Sequence, residues 1–307
     1  MMADEKLPAR ISHRLFATSR SEKRIIMKRH NFYNRPYNIT VMNMSGIYKK
    51  QPDFIKKLKG CGAAFIDAEN MRGTDCYCDD EAQRNLKVMM KNHSAGGIHF
   101  IDGGNYHYLS KLWLDFIDEP FDLIVFDNHP DMQSPAFGDV LSCGSWVKDV
   151  AAGLSVGDND NSFSRENIRN MNIAVIGVND EYVTRQMKDM GVDFLTAREL
   201  EKFGEDGVRK WLENFLAGGR PVYISVDKDV LCREECMTNW DQGSMKTSVL
   251  LEMLEKIFKT AKVIGLDVCG ELDARGEIES GGIYNEKNEK INIRILEFVN
   301  KKNCQGC

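Results

Sequence analysis

FDLIVFDNHPD, residues 121–131, is the stretch from which the rest of this 307-residue chain can be read. Its first half is a short continuous apolar run rich in Ile, Val and Phe, the composition of a strand covered on both faces. The run stops at Asp127, and His129 and Asp131 follow at a spacing of two. In extended or gently turning chain this spacing sends alternate side chains to one side, so three potential metal ligands converge at the C-terminal end of the strand. Taken alone, the triplet is also compatible with a solvated turn bent by Pro130.

Outward from this strand, strand-like and helix-like segments alternate. Before it come strands at 38–44, 63–67 and 97–102, with helices at 52–58, 80–91 and 106–117. After it come strands at 171–178, 192–194, 221–226 and 262–268, with helices at 180–190, 197–216, 246–259 and 291–299. Eight strands interleaved with helices predict a mostly parallel α/β sheet, either open or closed into a barrel. No Pro-, Gly- or Ser-rich linker divides the series, so the expected organisation is an irregular arm over 1–36, a single domain over 37–300 and a Cys-containing tail over 301–307.

Composition narrows the function classes. With 42% hydrophobic and 28% charged residues the chain reads as an ordinary globular protein. A net charge of -5 argues against a general nucleic-acid surface, and the basic segment 20–30 is read as a solvated arm. The N-terminus MMADEKLPAR has no apolar signal region, and no stretch approaches the roughly 20 apolar residues that cross a bilayer, so a cytoplasmic protein without membrane contact is expected. Nine scattered cysteines do not form a disulfide framework and are expected as thiols.

In either architecture, ligands bind at the C-terminal ends of parallel strands. The third strand ends in DGGNYH, the fourth in DNHPD, the seventh in DKD and the eighth in CGE. Singly, each has an ordinary structural explanation: His107 packing at a helix start, Asp227 and Asp229 capping a loop, Glu271 exposed. Together, His107, Asp127, His129, Asp131, Asp227 and Asp229 offer two imidazoles and four carboxylates at one sheet edge. Hard oxygen with some imidazole suits Mn²⁺, with Zn²⁺, Fe²⁺ or Co²⁺ as alternatives. Two ions sharing a water would favour hydrolysis. His99, between Ile98 and Phe100, reads as a structural histidine.

The series Gly103-Gly104-x-x-His107, Asp127-x-His129-x-Asp131, Ser225-x-Asp227-x-Asp229 and the acidic residue of GLDVCGE resembles the arginase and agmatinase family of ureohydrolases over residues 97–271. The resemblance implies a three-layer α/β/α sandwich rather than a barrel, two Mn²⁺ ions per chain, and hydrolysis of a small guanidino or related amidine compound by a metal-bridging hydroxide. It implies that His107, Asp127, Asp131 and Asp227 hold one ion and that Asp127, His129, Asp227 and Asp229 hold the other. It further implies that Asp131 orients the hydroxide, that Glu271 pairs with the guanidinium, and that the protein is a homo-oligomer.

The chain departs from the family pattern in four places, one of them the stretch VLCREECMTNWDQGS after Asp229, which lacks the family's Asp-Pro turn. Asn105 and Tyr106 make the first motif one residue longer, Gly270 delays Glu271 by one, and the loop 132–146 has no histidine. Gln133, Ser142 and Ser145 in that loop are therefore expected to contact the substrate. The alternative readings are a single-zinc, deacetylase-like amidohydrolase and a metal-binding regulator without turnover.

Overall fold

The computed structural model describes residues 38–135, 138–153, 171–273 and 282–305. The expected arm over 1–36 and the last two residues of the tail, 306 and 307, lie outside the described residues. Eight strands make one parallel sheet: β1 Ile39–Asn43, β2 Ala64–Asp67, β4 Ile98–Phe100, β5 Asp122–Phe126, β7 Ile173–Ile176, β8 Val192–Leu195, β9 Val222–Asp227 and β10 Val263–Cys269. Their spatial order is β2-β1-β4-β10-β9-β5-β7-β8. β2 and β8 are opposite edges, so the sheet is open and the barrel alternative is excluded. Two further short strands, β3 Tyr77–Cys78 and β6 Leu141–Ser142, pair antiparallel inside stretches that the sequence presents as loops.

The helices are α1 Pro52–Gly60, α2 Asp80–Met90, α3 Leu109–Leu114, α4 Trp146–Ala151, α5 Arg185–Asp189, α6 Ala197–Phe215, α7 Thr247–Thr260 and α8 Ile283–Gln305. They cover both faces of the sheet. Ile124 and Phe126 of β5 pack into one core with Phe54 of α1, Leu212 of α6, Leu254 of α7 and Ile295 of α8. Leu123 and Val125 point the other way, into a core shared with Leu86 of α2, Trp113 of α3 and Trp146 of α4. Both faces being apolar is why the strand reads as a continuous run instead of an alternating one. The result is a three-layer α/β/α sandwich.

Local chemistry sets the helix boundaries. Asp79 caps α2 by accepting from the Ala82 amide at 2.8 Å, and Thr196 and Glu199 form a reciprocal capping box at the start of α6. The helix expected over 180–190 is split: Asn179 caps a 3-10 turn, Asp180–Tyr182, and Thr184 caps α5 separately. The helix expected over 106–117 is likewise a 3-10 turn, Gly104–Tyr106, followed by α3. α8 starts earlier than expected and continues to Gln305, so most of the segment read as a tail is helical.

Candidate metal centre

Four adjacent strands, β4, β10, β9 and β5, deliver the site at their C-terminal ends. β4 and β5 are consecutive strands of the main sheet, yet β10 and β9 lie between them. This is the kind of strand-order switch where open α/β sheets bind ligands. His107 follows β4, Asp127, His129 and Asp131 follow β5, and Asp227 and Asp229 sit at the end of β9. With Gln133 they line a single cavity of about 70 Å³, together with Gly104, Cys143, Gly144 and Trp240.

Within this cavity, His107 Nδ1 lies 3.2 Å from Asp127 Oδ2, 2.9 Å from Asp131 Oδ2 and 3.6 Å from Asp227 Oδ2. His129 Nδ1 lies 2.8 Å from Asp229 Oδ2 and 3.5 Å from Asp127 Oδ1. Asp127 thus belongs to two groups of donors, His107/Asp127/Asp131 and Asp127/His129/Asp229. A third group joins His107 and Asp227 to Cys269, whose Sγ is 3.0 Å from Asp227 Oδ2.

The outer partners of the two imidazoles fix which nitrogen is offered to a cation. Ser225 Oγ donates to Asp267 Oδ1 at 2.6 Å and so accepts from His107 Nε2 at 2.8 Å. His129 Nε2 donates to Asp241 Oδ1 at 2.9 Å. With both Nε2 protons committed, each Nδ1 faces the carboxylates as the free ligand atom. Asp241 also accepts from Tyr182 Oη at 2.6 Å and from Asn128 Nδ2 at 3.2 Å. Tyr182 stacks on the His129 ring, with 5.4 Å between centroids. Asp131 is held by Trp146, whose Nε1 donates to Oδ2 at 2.6 Å, and its backbone sits at φ 47, unusual for a non-glycine residue.

The electrostatics call for cations. Burial and the neighbouring Asp127 charge push Asp229 up to about 7. Burial, then Asp131, raises Asp127, and burial, then Asp229, raises Asp227. Burial alone would lower His107, but Cys269, Asp127 and Asp131 carry it well above its ordinary range. His129 behaves alike, with burial opposed by Asp127 and Asp229. Crowded buried carboxylates drawing protons onto themselves and onto adjacent imidazoles are an unfavourable arrangement that divalent ions would relieve. The donor chemistry, mostly carboxylate oxygen with two imidazoles, fits a divalent metal ion.

Three expected substrate contacts lie elsewhere. Glu271 is buried outside this cavity in an ion pair with Lys228, which is fully buried. Its Oε2 accepts from Gln51 Nε2 at 2.8 Å, and its Oε1 from Asn292 Nδ2 at 2.6 Å. The reason lies next door: Gly270 has φ +87, and a Cβ there would come within 2.5 Å of Asp227 Oδ1. This extra left-handed residue lets Asp227 reach the site and turns the next side chain away from it. Ser142 and Ser145 are buried against each other, their hydroxyls 2.8 Å apart, and brace the loop without lining the cavity. Among the expected substrate contacts, Gln133 is the one that lines it.

Asp241, Tyr182, Trp240 and Cys269 carry no motif spacing. Asp267 had one signal, a lone acidic residue inside the apolar strand KVIGLDVC.

An open parallel α/β sandwich here carries clustered histidine and aspartate donors that could hold a metal ion at its central strand ends, and comparison with known proteins assigns the family. Residues 38–273 match the Arginase family, and the chain belongs to it. An uncharacterized protein of Thermotoga maritima is 26% identical over 264 residues, covering 86% of this chain and 90% of its own. Proclavaminate amidino hydrolase from Streptomyces clavuligerus superposes with a TM-score of 0.59 at 18% identity, covering 89% of this chain and 95% of that one. Formimidoylglutamase from Bacillus subtilis gives 0.60 at 14% identity, covering 86% of each. Among the described residues, no helix is long and apolar enough to cross a membrane.

Proposed function

We propose that the protein is a dinuclear-manganese hydrolase that cleaves a C–N bond in a small guanidino or related amidine compound. The observation that carries this reading is the shared position of Asp127, which belongs both to the donor group of His107 and to that of His129. His107, Asp127, Asp131 and Asp227 would hold one ion, and Asp127, His129, Asp227 and Asp229 the other. When bound, the two ions would acidify a shared water to hydroxide near neutral pH.

The remaining work falls to the chain's own groups. Asp131, held by Trp146, would accept a hydrogen bond from the attacking water and so direct its lone pair at the substrate carbon. Gln133 and Trp240, on the cavity wall, would hold the polar and planar parts of the substrate. Glu271 has no part in substrate contact in this reading, because Lys228, Gln51 and Asn292 occupy its oxygens.

The test has two readouts. Elemental analysis of purified protein is expected to find close to two Mn²⁺ per chain, falling sharply in Asp127→Ala. A panel of guanidino and formimino compounds is expected to yield urea, formamide or ammonia from at least one member. One ion per chain, or none, together with no product from any compound, would overturn the proposal.

A further inference from the structure

Cys76 and Cys143 stand opposite each other where the two-stranded ladder meets the metal cavity. β3 and β6 pair Tyr77 with Ser142 and Cys78 with Leu141. Just beyond the ladder, the Cys143 amide donates to the Cys76 carbonyl at 2.9 Å, which sets the two residues beside each other. Directly opposed residues of antiparallel strands have Cα atoms about 4.5–5.5 Å apart, inside the roughly 4.4–6.8 Å that a disulfide spans. The Cys143 side chain lowers the Cys76 thiol, while Cys76 and then burial raise Cys143.

The two side chains differ in access. Cys76 is partly exposed, whereas Cys143 is buried and lines the metal cavity beside Gln133 and Gly144. Cys76 has φ 59, a conformation that costs a non-glycine residue energy and that surrounding structure must hold in place. The proposed hydrolysis uses neither thiol, and neither belongs to the metal-donor groups, whose only cysteine is Cys269.

We propose that Cys76 and Cys143 form a reversible disulfide, with a hydroperoxide as oxidant, that cross-links the end of the β3–β6 ladder where Cys143 lines the metal cavity. The Cys76 thiolate attacks the peroxide, the O–O bond breaks, and Cys76 becomes a sulfenic acid as hydroxide or alkoxide leaves and takes a proton. The Cys143 sulfur then attacks the sulfenic sulfur. The S–S bond forms, the S–O bond breaks, and the departing hydroxide takes the Cys143 proton as water. Two thiols lose two electrons, hydrogen peroxide becomes two waters, and a dithiol reverses the step. Bond formation draws Cys143 Sγ out of the cavity wall toward Cys76. It also affects Gln133, whose amide donates to the Gly144 carbonyl at 2.9 Å.

The test uses the full, metal-loaded chain. It is titrated with hydrogen peroxide, alkylated with iodoacetamide, digested without reduction and mapped by mass spectrometry. The expected result is a Cys76–Cys143 linked peptide, with the intact mass lower by two hydrogens, that disappears on adding dithiothreitol and is absent from Cys76→Ser. If both cysteines are alkylated at a peroxide dose that oxidises the exposed Cys61, or if either is linked to a different cysteine, the proposal fails. The wild-type map decides the question even if Cys76→Ser does not fold.

Discussion

Replacing Glu271 by alanine should destabilise the protein by about 3–5 kcal/mol while leaving the metal cavity intact. The magnitude follows from what the substitution abandons. Lys228 is fully buried and Glu271 is 1% exposed. Without the carboxylate the Lys228 ammonium keeps Asn292 Oδ1 at 3.1 Å as its side-chain acceptor. Removing one partner of a buried ion pair typically costs about 3–5 kcal/mol, because the other charge is left in a dry interior.

The amides add little to this cost, since each retains a partner: Asn292 Nδ2 donates to Gln51 Oε1 at 2.9 Å, and Gln51 Nε2 to Asn285 Oδ1 at 3.0 Å. Urea unfolding followed by circular dichroism, with and without Mn²⁺, measures the change. It should appear as a lower midpoint at an unchanged slope. The double variant Lys228→Met/Glu271→Leu should recover most of the loss, because it leaves no unpaired charge. A Glu271→Ala protein within about 0.5 kcal/mol of the parent, but with a raised KM on a substrate, would refute this reasoning and return Glu271 to the substrate site.

Two further outcomes follow from the buried polar groups. If His129 holds a metal ion as proposed, Asp241→Ala should weaken its binding by about 10–100-fold, because it strips the outer partner from His129 Nε2; chelator competition showing an unchanged affinity would count against the role of Asp241. Stability should also fall between about pH 6.5 and 4 because of His99, whose pKa burial lowers to about 4 in the folded state. In that window the unfolded chain binds the proton and the folded chain does not, so the contribution is full above about 6.5 and lost as pH drops to about 4, a span of up to about 3 kcal/mol. His99→Gln, measured by urea unfolding across this range, should flatten the slope by that amount, and an unchanged slope would refute it.

Much of the fold and of the metal centre is legible in the sequence because both rest on local pattern. Segments such as FDLIVF and VYISV are apolar on both faces and end in charged residues, which locates parallel strands and their C-terminal edge together. The ligand triplet keeps its meaning because a spacing of two survives the passage from strand to turn. What escapes the sequence depends on partners distant along the chain. Lys228, set between two aspartates, looks like a solvated loop charge until Glu271, Gln51 and Asn292 of α8 close around it. Ser142 and Ser145 look like contact residues, but each satisfies the other. Asp241 acquires its role from folding of the 232–244 loop over His129, and no periodicity marks that loop.

The insertion of β10 and β9 between β4 and β5 also means that the donor groups meet across contacts of long sequence separation. His107 and Asp127 are synthesised early, on strands that do not pair with each other, and they come within reach only when the last third of the chain is threaded between them. Such pairing across long sequence separations is intrinsically slow. Any cation held by both strand ends would therefore depend on β9 and β10 being in place between them.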